Sequence, residues 1–184
     1  MTQAAGPVGP VGAQTLDPNR AAVVIMDFQN GIVNGAAPDP QAVVTQAAAA
    51  LQGARAAGIP VIYVTHRGGR FASEAPETEI HPGVAPAAGE TVLSKTRAGA
   101  FSTTGLDVLL REMGRNTLIL MGVATSGCVL STVRWAADIG YQLVVVADAC
   151  ADRDPEVHRV LTEKLFPRQA TVFSTQEFLQ SVKG

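Results

Sequence analysis

The chain lacks what several large classes of protein require. Its 184 residues include two cysteines, Cys128 and Cys150, too few and too far apart for a disulfide framework, which suits a reducing, cytoplasmic setting. Charge is scarce: 16% of residues are charged and the net charge is -2, so no basic surface addresses nucleic acid. A hydrophobic fraction of 47% excludes a disordered chain. Every apolar run is strand-sized and broken by Gly, Pro or charge, so no membrane partner is expected. The first twenty residues are rich in Ala, Gly and Pro but have no basic n-region and no sustained apolar stretch, so they read as a flexible arm, 1–20, and not as a secretory signal. The remainder, 21–184, is one globular domain's worth of sequence without an internal repeat.

What is present is an alternation of strand and helix signals. Ala21 to Met26 is a continuous apolar run of the kind buried on both faces of a parallel sheet, and it ends at Asp27. Gln41 to Ala57 is Ala-rich without internal proline and stops at Gly58, which predicts a helix. Val61 to Thr65 is a second strand, followed by a long loop over 67–90 punctuated by glycine and proline. A short strand over Thr91 to Ser94 ends at Lys95, and a helix is expected from about Thr104 with Asp107 completing a capping box. Thr117 to Met121 is a strand ending at Gly122, and Cys128 to Ile139 has helical spacing. Gln142 to Ala147 is the fifth strand. Asp154-Pro155-Glu156 opens a helix reaching about Leu165, Ala170 to Phe173 is a sixth strand, and Ser174 with Glu177 caps a terminal helix. The expected fold is a three-layer α/β/α sandwich around a mainly parallel six-stranded sheet. No G-x-G-x-x-G follows the first strand, and Asp27-Phe28-Gln29-Asn30-Gly31 would not cradle a pyrophosphate, which excludes a dinucleotide-binding domain.

In such a sheet ligands bind outside the carboxyl ends of the strands, and three strand ends here deliver Asp27, Lys95 and Cys128. A carboxylate can take a thiol's proton and return it to a leaving group, and an ammonium stabilises both anions. A thiol in the first turn of a helix also meets unpaired N–H groups that favour thiolate. Singly, each residue has an ordinary explanation: Asp27 caps a turn, Lys95 is a solvated strand end, Cys128 is core packing.

Val24-Ile25-Met26-Asp27-Phe28-Gln29, Leu93-Ser94-Lys95 with Ala100-Phe101 and Thr104, Gly122-Val123-Ala124-Thr125 with Cys128-Val129, and Asp138-Ile139-Gly140-Tyr141 followed by Val144 to Ala149 together resemble the isochorismatase-like cysteine hydrolases. That family includes nicotinamidases, N-carbamoylsarcosine amidase and biuret hydrolase. The resemblance implies a triad of Asp27 as general base, Lys95 as its cationic partner and Cys128 as nucleophile. It also implies a cis peptide between Val123 and Ala124, whose use is to aim the Ala124 N–H with the Cys128 N–H at the substrate oxygen. The implied reaction is hydrolysis of the C–N bond of a small amide or ureide through a thioester.

Two departures bear on the reading. Nicotinamidases resemble one another in an Asp-x-His segment that helps hold a metal, whereas this chain has Val64-Thr65-His66-Arg67. His66 and His81 are a pair without a third ligand, so neither a metal nor another cofactor is expected. Isochorismatases proper lack the cysteine, so Cys128 argues against vinyl ether hydrolysis. Substrate contacts are expected from Phe28, Gln29, Arg67, Arg70, Phe71, Arg97 and Phe101, the arginines suiting a carboxylate or a carbonyl-rich amide. A homodimer or homotetramer is expected from the resemblance. Two alternatives stay open at this level: an isochorismatase-type hydrolase that does not use the thiol, and a catalytically silent ligand-binding or scaffold homologue.

Overall fold

The computed structural model describes residues 16–183. Its strands are β1 (Ala21–Met26), β2 (Val61–His66), β3 (Thr91–Lys95), β4 (Thr117–Val123), β5 (Gln142–Ala151) and β6 (Thr171–Phe173). They form one sheet in the order β3-β2-β1-β4-β5-β6, and every pairing is parallel. The helices are α1 (Asn30–Ala36), α2 (Pro40–Ala56), α3 (Leu106–Glu112), α4 (Leu130–Asp138), α5 (Pro155–Val160) and α6 (Thr175–Ser181). The central strands β1 and β4 are buried along their whole length. Each needs an apolar side chain on both faces, hence the unbroken apolar runs. One core holds Val23, Ile25, Ile119 and Met121 against α2 residues such as Val43 and Leu51 and α6 Phe178. The other holds Val24, Met26, Leu118 and Leu120 against Leu106 and Leu110 of α3 and Val133 and Ala136 of α4. Helices on both faces of one sheet make three layers.

The helix ends follow local chemistry. Asp39 caps α2 by accepting from the Ala42 N–H at 2.9 Å, Pro40 opens it, and Gly58 with φ +69 ends the connection. The Ser174–Glu177 capping box forms as expected. The box expected at Asp107 does not: α3 begins at Leu106, whose N–H donates to Thr104 Oγ1 at 3.1 Å. Asp107 is drawn instead to Arg111 at 3.0 Å and to the Tyr141 hydroxyl at 2.8 Å. β5 also runs past the predicted Ala147. Its register against β4 shifts between Leu120 and Gly122, so that Leu120 pairs with Val145 but Gly122 pairs with Cys150. That irregularity sets Cys150 beside Gly122 inside the sheet, not at a strand exit.

The 67–90 loop holds three short 3-10 turns and is stitched to the sheet. His81 N–H donates to Phe28 O at 2.8 Å and Asn30 N–H to Glu79 O at 2.9 Å. Tyr63 O–H donates to Val84 O at 2.8 Å, and Arg55 pairs with Glu90 at 2.8 Å. Of the arm expected over 1–20, residues 1–15 lie outside the described residues. Within 16–20, Leu16 is buried, its N–H donates to Ser181 O at 3.0 Å, and Arg115 donates to Pro18 O at 2.9 Å, while Asp17, Asn19 and Arg20 are exposed. Among the described residues no helix is long and apolar enough to cross a membrane.

Candidate active site

The carboxyl edge of the sheet brings Asp27, Lys95 and Cys128 into one buried cluster. Asp27 follows β1 in the left-handed region at φ 58, a conformation aspartate tolerates better than most residues because its short polar side chain bonds locally. Its N–H donates to Val64 O at 2.9 Å, which fixes the turn to β2. Lys95 ends the edge strand β3, whose outer positions alternate toward solvent while Lys95 itself is 1% exposed. Its ammonium donates to Asp27 Oδ2 at 2.7 Å and to Arg97 O at 3.1 Å. The other carboxylate oxygen, Asp27 Oδ1, is buried and has no hydrogen-bond partner among the described residues. A buried acceptor without a partner is costly and marks a site that awaits a proton or a ligand.

Cys128 lies in a π-helical turn, Thr125–Val129, that joins β4 to α4. The Val123–Ala124 peptide bond ahead of it is cis. The Cys128 sulfur packs on Gly122: a Cβ at that position would lie 2.9 Å from Cys128 Sγ and 2.9 Å from Val129 Cγ2. Only glycine lets the sulfur sit over the strand end.

The electrostatics correct one expectation from sequence. Burial pushes the Cys128 thiol well above its usual pKa, the negative charge of Asp27 adds to this, and Lys95 opposes it. Desolvation therefore favours the thiol over the thiolate here and works against the helix terminus. Asp27 is raised as well, first by burial, with the Lys95 charge and hydrogen bond pulling it back down. His66, beside Lys95 in the β2–β3 register, is lowered by burial and by the Lys95 charge, with Asp27 opposing. Cys150 is pushed up to about 12 by burial.

The residues expected to meet substrate divide. Gln29 is wholly buried and spends its amide on backbone: Nε2 donates to Thr78 O at 2.8 Å and His66 O at 3.1 Å, and Oε1 accepts from His66 N–H at 2.6 Å. It clamps the end of β2 to the long loop. Phe28 belongs to one core and Phe101 to the other, where its ring lies 5.8 Å from that of Tyr141. Arg97 meets the cluster through its carbonyl, and its own side chain is exposed. Phe71 is buried edge-on to His66 with ring centroids 6.0 Å apart. Arg70 lies over the Phe71 ring at 4.8 Å, and Arg67 reaches Thr78 Oγ1 at 3.4 Å. His81 uses Nδ1 to accept the Gly83 N–H at 3.1 Å.

Sequence reasoning missed the residues behind the Cys128 turn. Asp152 Oδ2 accepts the Ser126 N–H at 2.7 Å, and His158 Nδ1 lies 2.8 Å from Thr125 Oγ1. Neither residue sits in a motif. Their one signal is position after a strand whose end adjoins the end of β4, and the irregular register that creates this adjacency is invisible in hydropathy.

A doubly wound parallel sheet with a carboxylate, an ammonium and a thiol buried together at its carboxyl edge defines a three-layer α/β protein with a candidate active site at that edge. Comparison with known proteins places it more closely. The isochorismatase domain matches residues 21–177, and the chain belongs to the isochorismatase family of hydrolases. It is 32% identical over 186 aligned positions to the maleamate amidohydrolase of Pseudomonas putida, with 89% of this chain and 87% of that protein covered. It is 31% identical to the N-carbamoylsarcosine amidase of an Arthrobacter species, covering 76% of this chain and 62% of that protein. Against an uncharacterised isochorismatase family protein of Bacillus subtilis it is 36% identical over 117 residues, and the chain again spans only 62% of that relative's length. The solved structure of an isochorismatase family protein from Burkholderia thailandensis superposes with a TM-score of 0.83 at 28% identity, covering 93% of this chain and 99% of that one.

Proposed function

We propose that the chain is a cysteine hydrolase that cleaves the C–N bond of a small amide or ureide through a thioester. The observation that carries this reading is the division of labour on Asp27: Oδ2 is held by Lys95, while Oδ1 is buried, not engaged by Lys95, and the carboxylate interacts with the Cys128 thiol. The names of the maleamate and N-carbamoylsarcosine relatives support the substrate class.

The geometry suggests the following steps. Asp27 Oδ1 takes the Cys128 proton as sulfur attacks the amide carbon, and Lys95 balances the charge that builds on the pair. The oxyanion is assigned to the N–H groups of Ala124 and Cys128. In support, two of the three intervening N–H groups, those of Ser126 and Gly127, are already committed, to Asp152 and to Ala124 O. Collapse breaks the C–N bond, the nitrogen leaves with the proton held on Asp27, and a thioester remains. Water then attacks the thioester, giving its proton to Asp27. The C–S bond breaks, and that proton returns to sulfur. Each proton moves between Asp27 and the reacting atoms, and no further group is needed to carry one. Arg67, Arg70 and Phe71 at the start of the long loop are the proposed substrate-facing set, with the guanidinium groups suiting a carboxylate on the amide. Assembly into a homodimer or homotetramer belongs to the same proposal and is checked by light scattering.

The test is ammonia release from a panel of small amides and ureides, maleamate included, by wild type and by Cys128→Ala. Loss of at least about a thousandfold in kcat is expected, as for removal of a nucleophile. Hydrolysis that survives the substitution would sink the thioester reading and point to chemistry run by Asp27 alone.

A further inference from the structure

The turn that carries Cys128 is held from behind by a segment that none of these steps uses. Asp152, directly after β5, is buried. Its Oδ2 accepts the Ser126 N–H at 2.7 Å, and its Oδ1 is 3.4 Å from the Asp154 N–H. On α5, His158 Nδ1 lies 2.8 Å from Oγ1 of Thr125, a wholly buried residue. His158 is itself fixed: its N–H donates to Asp154 O at 3.1 Å, and its carbonyl accepts from Thr162 Oγ1 at 2.9 Å. Two side chains from one element pair therefore grip two consecutive residues of a five-residue turn, three and two positions ahead of the sulfur.

We propose that Asp152 and His158 are positioning residues that set the rotation of the 125–129 turn, and with it the direction of the Cys128 sulfur and N–H. The inference rests on Cys128 being the nucleophile. A hydrogen bond from a backbone N–H to a carboxylate is charge-assisted and short, so it selects one orientation of the turn over neighbouring ones. Turning the Ser126 N–H backward keeps it from competing for the substrate oxygen. An ångström of misplacement at a reacting atom costs on the order of a hundredfold in rate, so a brace that never touches substrate has leverage on kcat. The grip at Thr125 holds whichever partner carries the proton, because hydroxyl and imidazole can each donate or accept.

The experiment compares Asp152→Ala with Asp152→Asn, which keeps an acceptor oxygen for Ser126. Each is assayed for steady-state hydrolysis of the best amide in the panel and for iodoacetamide labelling of Cys128, with Cys150 as internal reference, by peptide mass spectrometry. For Asp152→Ala, kcat falls about 10 to 100-fold with KM within about threefold, and Cys128 labelling relative to Cys150 falls at least about tenfold. Asp152→Asn restores both to within about threefold of wild type. If Asp152→Ala does not fold, which would show as equal and fast labelling of both cysteines, Thr125→Val asks the same question at the His158 contact and should lower the same two readouts. Unchanged kcat and labelling in a folded Asp152→Ala or Thr125→Val overturns the proposal, as does an asparagine variant that folds but does not rescue. A hydrolytically active Cys128→Ala would instead overturn the thioester reading, so the two failures are distinct.

Discussion

Replacing Lys95 by methionine separates the ion pair from the fold that contains it. Lys95 and Asp27 are joined at 2.7 Å with side-chain exposures of 1% and 9%, so removing the ammonium leaves a carboxylate that water cannot reach. Losing one member of a buried pair costs about 3 to 5 kcal/mol. The loss has a ceiling, because Asp27 can protonate. Holding a carboxylate of ordinary pKa 3.8 in its neutral form at pH 7 costs at most about 4.4 kcal/mol, at 1.36 kcal/mol per pH unit. A deficit of about 3 to 4 kcal/mol lowers Tm by about 6 to 16 °C in a domain of this size. The sign of the pH dependence follows from proton counting. In the variant, folded Asp27 has lost the charge and hydrogen bond that lowered its pKa, so between the already raised value of wild type and the higher value of the variant the folded variant holds a proton that folded wild type does not. Stability relative to wild type therefore falls as pH rises through that window, and the ceiling shrinks to about 1.6 kcal/mol at pH 5. Urea unfolding of wild type, Lys95→Met and Lys95→Met/Asp27→Asn at pH 5, 6 and 7 measures this. Asparagine accepts the left-handed backbone at position 27, so the double variant should recover most of the loss. A single variant as stable as wild type at pH 7, or a deficit that does not shrink on acidification, would refute the reasoning.

Gly122→Ala should destabilise by about 1 to 3 kcal/mol and depress hydrolysis, because the new Cβ meets Cys128 Sγ and Val129 Cγ2 at 2.9 Å and Met26 Cβ at 3.2 Å, all in packed core. Gly127→Ala, whose nearest neighbour would be Ala124 Cβ at 4.0 Å, is the control and should keep its Tm; equal behaviour of the two would count against the packing described. Gln29→Ala strands the His66 N–H and the Thr78 and His66 carbonyls, for a loss of at least about 2 kcal/mol by chemical denaturation, and proteolysis should then cut first within 67–90. The acid limb of kcat/KM should lie above the ordinary aspartate range, since Asp27 must be ionised to accept the thiol proton and burial raises its pKa. Asp27→Asn should abolish the activity, and residual hydrolysis that kept the same acid limb would assign the limb to another group.

Much of this protein is local in its sequence. β1 and the helix expected over 41–57 were legible because apolar continuity, an alanine-rich run without internal proline and a glycine after the last turn act over a few residues. The strand-end placement of Asp27, Lys95 and Cys128 followed from the same pattern, since a parallel sheet puts every carboxyl end on one edge. The direction of a side chain at such an edge is not local. Gln29, Phe28 and Phe101 look like pocket residues beside the cluster, yet one is consumed by a backbone clamp 37 and 49 positions away and the others by the two cores.

By itself, then, the sequence determined the alternation of strand and helix, the parallel sheet and which reactive types arrive at its carboxyl edge, because hydropathy period and turn chemistry are properties of neighbouring residues. Only the tertiary structure decided that Lys95 closes on one oxygen of Asp27 from 68 positions away and leaves the other bare. It also decided that burial raises the Cys128 thiol, and that Asp152 and His158 stand behind its turn across 26 and 33 positions. Those outcomes depend on desolvation and on contacts between distant segments, and burial and distance exist only once the chain is packed.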